Sequence, residues 1–582
     1  MKLRFLMFAF AILAAVAAPR AQAATEYYVA PLGTAPSGTP DGSETHPWLS
    51  IGDAISSGTV VGGDTLLLLD GDFGILKISG ESFDTPIIIQ SLNGKLAHFE
   101  RINIGRNVGN LTFKNLSIWL SNAANADSEM VYSHPSSSNI TLENLVIRGA
   151  GKNSQNYLSW GLGAWANIPN GIRLSGANSI VRNNSLTAVG AGITTTGNDA
   201  LVVGNTIEGY AADGMRGFGE RSIFRGNKLL NCMEVSNNHD DGFQSWAPKG
   251  VANASVKGLV IEGNSFIEWA ADENHPLRCE EQGIGLFDGF YENLTIRNNL
   301  VSVSQFHGIS VYGGRNVVIV NNTVVNNRGI VGKAPWIGVF NHKDGTPSEN
   351  VLVANNVAMK FVGASNAAHN IVFSDNSVIF DPEGAFKDIQ ARDYHPTENS
   401  GFIDTANSNF SPSHDIEGSA RPVGNGPDKG AFEFGGTPNA GGNTPNEVSH
   451  QTQGSMPMKR EVINNGSSGA MPVEQHAEQG STLAIIPIRR QTERRSSQSI
   501  VPIKRQTDQN SAIDNTPRRQ PTVQIHAHGT APIREETVLG GSQGVGQIQQ
   551  RIVDVTTERK STRVISGAKW LVVPTRKTQN SR

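Results

Sequence analysis

Two acidic residues and a histidine recur at matching places in this 582-residue chain. Asp213, Asp241 and His307 each stand directly before a glycine and an apolar residue (Gly214-Met215, Gly242-Phe243, Gly308-Ile309), and Asp240 adjoins Asp241. Asn170, Ala191 and Gln282 hold the same place in other copies of the pattern. If each copy is one rung of stacked strands about 4.8 Å apart, Asp213 and Asp241 are neighbours on one face. Two carboxylates that close cannot both ionise freely, so one keeps a proton to donate while the other acts as a base. That pairing breaks glycosidic bonds. The candidate catalytic residues are therefore Asp213, Asp240, Asp241 and His307, with Arg216, His239, Gln244 and Gln282 beside them as substrate-binding groups.

The rungs are marked by asparagines. Asn115, Asn144, Asn184, Asn205, Asn227, Asn264, Asn299, Asn322, Asn356 and Asn376 recur with a unit of about 21 residues that swells but hardly shrinks, the signature of a solenoid with loop insertions. Short apolar runs flank most of them, as at Leu201–Val203 and Val317–Val320. Two or three short strands fit into each unit, and no helix does. The spacing predicts an all-β chain: a right-handed parallel β-helix solenoid whose stacked asparagines bond to one another as scaffold. A short helix around Leu49–Ser56, with Ile51, Ala54 and Ile55 on one side, is placed to cap the open end. Four of five insertions fall between the asparagine and the next glycine mark, so their loops share a side and wall a groove. These loops bring Trp160, Trp165, Trp269 and Trp336, with Trp246 just beyond one mark. Aromatic faces along a groove suit stacking on sugar rings, and all five tryptophans are expected to bind substrate.

On these features residues 27–434 resemble the pectin-lyase-like superfamily of right-handed parallel β-helix proteins. The supporting motifs are Tyr27-Tyr28-Val29 with the capping helix, the asparagine coils and the closing Gly430-Ala431-Phe432-Glu433-Phe434. Within that fold, Asp213-Gly214, Asp240-Asp241 and His307-Gly308-Ile309-Ser310 resemble polygalacturonase-type glycosidases. The resemblance implies acid and base roles for the aspartates and an assisting role for the histidine. The chain departs from the pattern by an extra coil at Gln282 and by lacking the family's Arg-x-Lys motif.

Charge and composition narrow the alternatives. Residues 24–435 carry about −15 and the segment from 436 about +8; so acidic a body argues against nucleic-acid binding. Met1–Arg4 followed by the apolar run Phe5–Ala18 and Ala21-Gln22-Ala23 reads as a signal peptide over 1–23, hence a secreted or periplasmic protein with no integral membrane segment. Residues 24–435 form the β-helix domain. Residues 436–582, rich in Gln, Ser, Thr and Arg, read as a disordered basic tail able to touch an anionic envelope or glycan surface. Cys232 and Cys279 lie on neighbouring coils and are candidates to pair in an oxidising compartment. No phosphate loop or zinc spacing is present, and hydrolysis by an Asp pair needs no metal or cofactor. The expected partner is a polysaccharide. A lyase or epimerase is the first alternative, using Arg216, His239 or His307 as base or stabiliser and Asp213, Asp240 and Asp241 as Ca²⁺ ligands. The second is a non-catalytic glycan-binding or envelope-associated scaffold.

Overall fold

The structure is a computed structural model that describes residues 24–439, apart from 37, 122–127, 249–250, 252, 272–274 and 327–332. All of these belong to the first of two compact units, Met1–Val462. The expected signal peptide, and the expected tail beyond 439, lie outside the described residues.

Strand follows strand in a repeating circuit of three faces. The strand Ile193–Thr195 is followed by Leu201–Val203, then Thr206–Tyr210, and the chain returns to the first face at Met215–Gly217. Repetition builds three parallel sheets of 11, 14 and 12 strands, called here sheets II, I and III in the order of that circuit. Side chains alternate along each strand, so every rung sends residues into one continuous core. Ile172, Ile193, Met215, Phe243, Ile284, Ile309 and Ile337 form one such inward file in register down sheet II. The helix Ile51–Ser56, capped by the Ser50 side chain on Asp53 N–H, buries Ile51, Ala54 and Ile55 against the first coils, as its apolar side predicted.

The asparagine ladder sits at the turn from sheet I to sheet III. From Asn184 to Asn376 each amide donates to the next asparagine's Oδ1 at 2.9–3.0 Å, and each backbone N–H reaches the same oxygen. Asn115 and Asn144 are a correction to the expected series. Register places Asn144 beside Asn183, so Leu145 holds the ladder position and Leu116 its equivalent below; both leucines are fully buried. Asn115 and Asn144 instead occupy the left-handed position just before the ladder, at φ 54° each, where other rungs use Asn183, Gly204 or Gly263. Asparagine and glycine are the residues that tolerate this backbone.

The described ends of the four insertions all lie on the edge between sheets III and II, as the spacing implied. Those starting at Met233 and Glu268 are tied at their roots by a Cys232–Cys279 disulfide, with Cα atoms 5.5 Å apart. The fifth insertion, after Trp246, lies between sheets II and I and carries the small strand Ser255–Lys257. Past the last coil, residues 382–434 fold back over sheet III, and Phe386, Ile389, Tyr394, Phe402, Ile416 and Phe432 cover its outer apolar side chains.

Candidate active site

Sheet II registers the polar file that the glycine marks predicted. Asp241 pairs with Gln282; Phe243 pairs with Met215, which sets Asp241 against Asp213; and Ile284 pairs with Ile309, which sets Gln282 against His307. The backbone N–H of Asp241 donates to Asp213 Oδ1 at 3.2 Å. Three residues along, Arg216 and Gln244 are paired neighbours on the outer face.

Burial changes the expected roles. Asp213 and Asp241 are 1% and 0% exposed and Asp240 is 3%. All three are buried, and Asp213 and Asp241 are bonded to side chains more exposed than themselves. Arg216 Nε donates to Asp213 Oδ2 at 2.6 Å. His239 Nδ1 lies 2.9 Å from Asp241 Oδ2, which also accepts from Gln244 Nε2 at 2.9 Å. The imidazole's side chain is 57% exposed, so a buried carboxylate orients a largely solvent-facing histidine. The hydrogen bond to Asp241 raises the His239 pKa, against the opposing effect of burial. Burial pushes Asp241 up to about 7 despite the His239 hydrogen bond, and Asp213 adds to the rise. Asp240 is pushed to about 8 by burial, then by Glu234 and Asp213.

Beneath this pair lies a nest of acids absent from the expected set. Tyr210 donates to Glu281, whose carboxyl is fully buried and held well above the usual range by burial and then by Glu268 and Asp240. Glu268 in turn takes Arg278 Nε at 3.0 Å and Ser304 N–H at 2.7 Å. Nothing in the local sequence pairs Glu268 with Glu281; they meet where the two ends of one insertion close, with Glu281 N–H donating to Glu268.

His307 stands two rungs from Asp241. Its Nδ1 lies 2.9 Å from Ser310 Oγ, which accepts from Trp336 Nε1 at 3.1 Å. Burial lowers its pKa, and His239 adds to the shift. As a possible ion site the Asp cluster does not converge. Among the described residues, only Cys232, Asp240 and Cys279 bring three candidate ligand atoms within 4.8 Å of one another, and the two sulfurs are spent in the disulfide.

The tryptophans divide. Trp160, Trp165 and Trp269 are 7%, 3% and 0% exposed and form a satellite core with Tyr157, Ile168 and Met233 under the insertion loops. They hold the loops down and do not line the groove, which corrects that part of the expectation. Trp246 and Trp336 do face outward on sheet II, both part-exposed. They are joined by four aromatics that the tryptophan count overlooked: Phe218, Phe287, Tyr312 and Phe340, each part-exposed. A signal for them was present, since an aromatic follows Asp213, Asp241, Gln282 and His307 by five residues each time. Phe218 and Trp246 have ring centroids 4.2 Å apart, Phe287 and Tyr312 5.7 Å, and Tyr312 and Phe340 4.5 Å. The outer face of sheet II thus has a polar edge, a middle row of Arg216, Gln244, Gly285, Ser310 and Gly338, and an aromatic edge.

Residues 104–378 match the family model of a right-handed β-helix region. No curated protein matches the chain. Among solved structures the chain is similar to pectate lyase Pel9A, at 17% identity and a TM-score of 0.38 over 71% of this chain and 97% of the other. It is also similar to a mannuronic acid-specific polysaccharide family 6 lyase from human gut microbiota, at 16% identity and 0.36 over 61% and 83%. A third is PfbA, a surface adhesin of Streptococcus pneumoniae, at 12% and 0.32 over 55% and 88%. Likeness at this level concerns fold alone. With its three parallel sheets and its asparagine ladder, the described body of this chain is a right-handed parallel β-helix.

Proposed function

We propose that this protein acts on a polysaccharide at the outer face of sheet II, with His239 as the proton-transferring group. The observation that carries the reading is an imidazole 57% exposed whose Nδ1 is held 2.9 Å from a carboxylate with no exposure. Such a dyad fixes the tautomer and leaves Nε2 to take a proton from substrate. Arg216, steadied by Asp213, stands one rung away as a cation for a substrate carboxylate. These groups suit abstraction of the proton beside the carboxylate of a uronate unit. The abstracted proton goes to His239, and the electron pair either expels the linking oxygen to leave a double bond or takes a proton back on the other face. The first outcome is elimination and the second epimerisation.

Hydrolysis is the second reading. It is favoured by Asp240, which burial pushes up to about 8, but requires side chains to move before that acid meets a substrate. The disulfide fits an exported protein, in line with the N-terminal segment.

The test is incubation of the full chain with neutral and uronate polysaccharides. Ultraviolet-absorbing unsaturated ends support elimination, and deuterium uptake from heavy water into otherwise unchanged polymer supports epimerisation. His239→Ala should lower either rate by about 10²-fold or more. New reducing ends without ultraviolet absorbance, surviving His239→Ala, would transfer the assignment to the carboxyl pair.

A further inference from the structure

Ser310 stands in the outer row of sheet II with no side chain beside it on either neighbouring strand. Its register partners are Gly285 and Gly338. The Phe287 ring occupies the space over Gly285, where a methyl group would meet it at 2.4 Å, and Phe340 does the same over Gly338 at 2.6 Å. His307 and Trp336 both reach the hydroxyl, their ring centroids 5.1 Å apart. Ser310 is 0% exposed, so water is shut out. Among the described residues its hydroxyl has two hydrogen-bond partners, Trp336 Nε1 at 3.1 Å and His307 Nδ1 at 2.9 Å.

These two partners fix the direction of both bonds. An indole N–H can only donate, so Trp336 takes a lone pair of Ser310 Oγ. The hydroxyl proton then needs an acceptor, because a buried donor without one is costly. With rings over both neighbouring strand positions, His307 Nδ1 is the acceptor among the described residues. Nδ1 is thus the bare nitrogen, and the ring proton sits on Nε2. Among the described residues Nε2 bonds to no protein atom, and it is not one of the buried unmatched atoms, so it meets solvent. Burial holds the imidazole pKa below its usual 6.5, and His239 adds to the shift, which keeps the ring neutral.

His239 is built the other way round. Its Nδ1 faces a carboxylate oxygen at 2.9 Å, so Nδ1 carries the proton and Nε2 is bare. Phe287 stands between the two imidazoles, edge-to-face with each, at centroid distances of 6.5 and 5.1 Å. One histidine therefore offers a lone pair and the other an N–H, two rungs apart, or about 10 Å along the solenoid.

We infer that Trp336 and Ser310 fix His307 as a neutral Nε2–H donor that holds a substrate oxygen while His239 acts as the base. The donor role rests on the proposed reading of His239; the direction of the relay does not. Ser310 and Trp336, which would otherwise pass as packing, become positioning residues that act through His307. The substrate must carry an acceptor, a hydroxyl or carboxylate oxygen, about two rungs from the proton that His239 removes. The His307 proton stays on Nε2 throughout, so its contribution belongs to binding and should appear in KM more than in kcat.

The relay is tested by nitrogen-15 NMR of the full chain labelled at histidine, without substrate, with His307→Gln assigning the signals. At neutral pH His307 should show its proton on Nε2 and His239 on Nδ1. Ser310→Ala removes a bond that favours the neutral ring, so the His307 pKa should rise. Around that ring stand His239 across Phe287, Lys360 over the Trp336 ring, and Glu280, which holds Gln305 and Lys333. Ser310→Ala alters none of these, so the sign of the shift reads the relay. A fall or no change in that pKa, or a proton found on His307 Nδ1, overturns it. The donor role is tested by turnover of a uronate polysaccharide, with xylan as a neutral arm. His307→Phe should raise KM about 5- to 10-fold with kcat little changed, and His307→Gln, which restores an N–H, should recover most of it. Equal losses in the two variants, or a normal KM in both, overturn the donor role. If neither polymer is turned over, calorimetry with a uronate tetrasaccharide and xylotetraose compares the same variants, and equal affinities overturn it. His239→Ala keeps the two proposals apart: lost turnover with the His307 NMR unchanged supports both, and retained turnover removes the base reading while the relay stands or falls by its NMR.

Discussion

Asp241 is the residue on which the chemistry turns, although it touches no solvent. One of its oxygens takes both His239 and Gln244, and the other lies where a side chain on Gly285 would intrude, at 2.5 Å from a methyl there. Its hydrogen bond to His239, and then its charge, hold the imidazole pKa above its usual 6.5. A base must be unprotonated to act, so kcat/KM should rise with pH through a midpoint above that value. Asp241→Asn removes the charge and moves the midpoint to lower pH, while the plateau falls by about 10²-fold in kcat with KM little changed. The same substitution should lower the His239 pKa read by NMR without any substrate. An unmoved imidazole titration would mean that Asp241 only packs. The sign also bears on stability: a raised histidine contributes below its unfolded pKa and loses that contribution as pH rises through the folded one. Asp240 and Asp241, raised to about 8 and 7, lose theirs over the same direction of pH.

At the scale of elements, the ladder acts as both scaffold and ruler. Asn264 makes five bonds in it: its amide reaches Phe224 O and Asn299 Oδ1, its N–H reaches Asn299 Oδ1, and its own Oδ1 takes the amide and N–H of Asn227. Asn264→Ala leaves several of these buried groups unmatched, and urea unfolding should register a loss of about 3 kcal/mol or more. Asn144→Gly should cost under about 1 kcal/mol, because that site needs left-handed backbone rather than an amide. Equal losses would undo the distinction between ladder and turn. The two kinds of asparagine look alike in the sequence, since a one-residue offset does not disturb a spacing of 29 or 40. The polar file was legible because periodicity fixes register, and register fixes which residues stack. Loop contents were not: whether Trp160 turns inward depends on what the loop packs against, which the spacing does not encode. The aromatic edge was legible in the recurring five-residue offset, which places its rings in strand register, whereas tryptophans in long loops have no such register. The Glu268–Glu281 pair forms where the two ends of one insertion close on each other across 13 residues of chain, Glu281 N–H donating to Glu268.

A solenoid has no single centre, so its stability depends on how its ends and faces are closed. The first coils are closed by the helix Ile51–Ser56. Sheet III presents an outward apolar stripe in its later half, Ile267, Leu300, Val325, Val357 and Ile379, and the segment 382–434 is laid over it. Polar ties pin that segment at several rungs: Asn298 Nδ2 to His414 O, Asn321 Nδ2 to Asp428 O, Gly430 N–H to Asn355 O, and Ala431 N–H to Thr323 Oγ1. Arg421, almost fully buried, meets Glu433 at 3.2 Å within it. Six large apolar side chains buried at about 1.5–3 kcal/mol each amount to roughly 10 kcal/mol, comparable to the whole stability of an ordinary domain. A chain of residues 24–380 should therefore melt broadly, bind a hydrophobic dye and aggregate, whereas residues 24–439 should melt cooperatively. The site on sheet II lies on a different face, so its loss in the shorter chain would report coils loosening as a stack, with the segment acting through the shared core. If residues 24–380 melt as sharply as the longer chain and within about 2 °C of it, the segment is a passenger and the coils are self-sufficient.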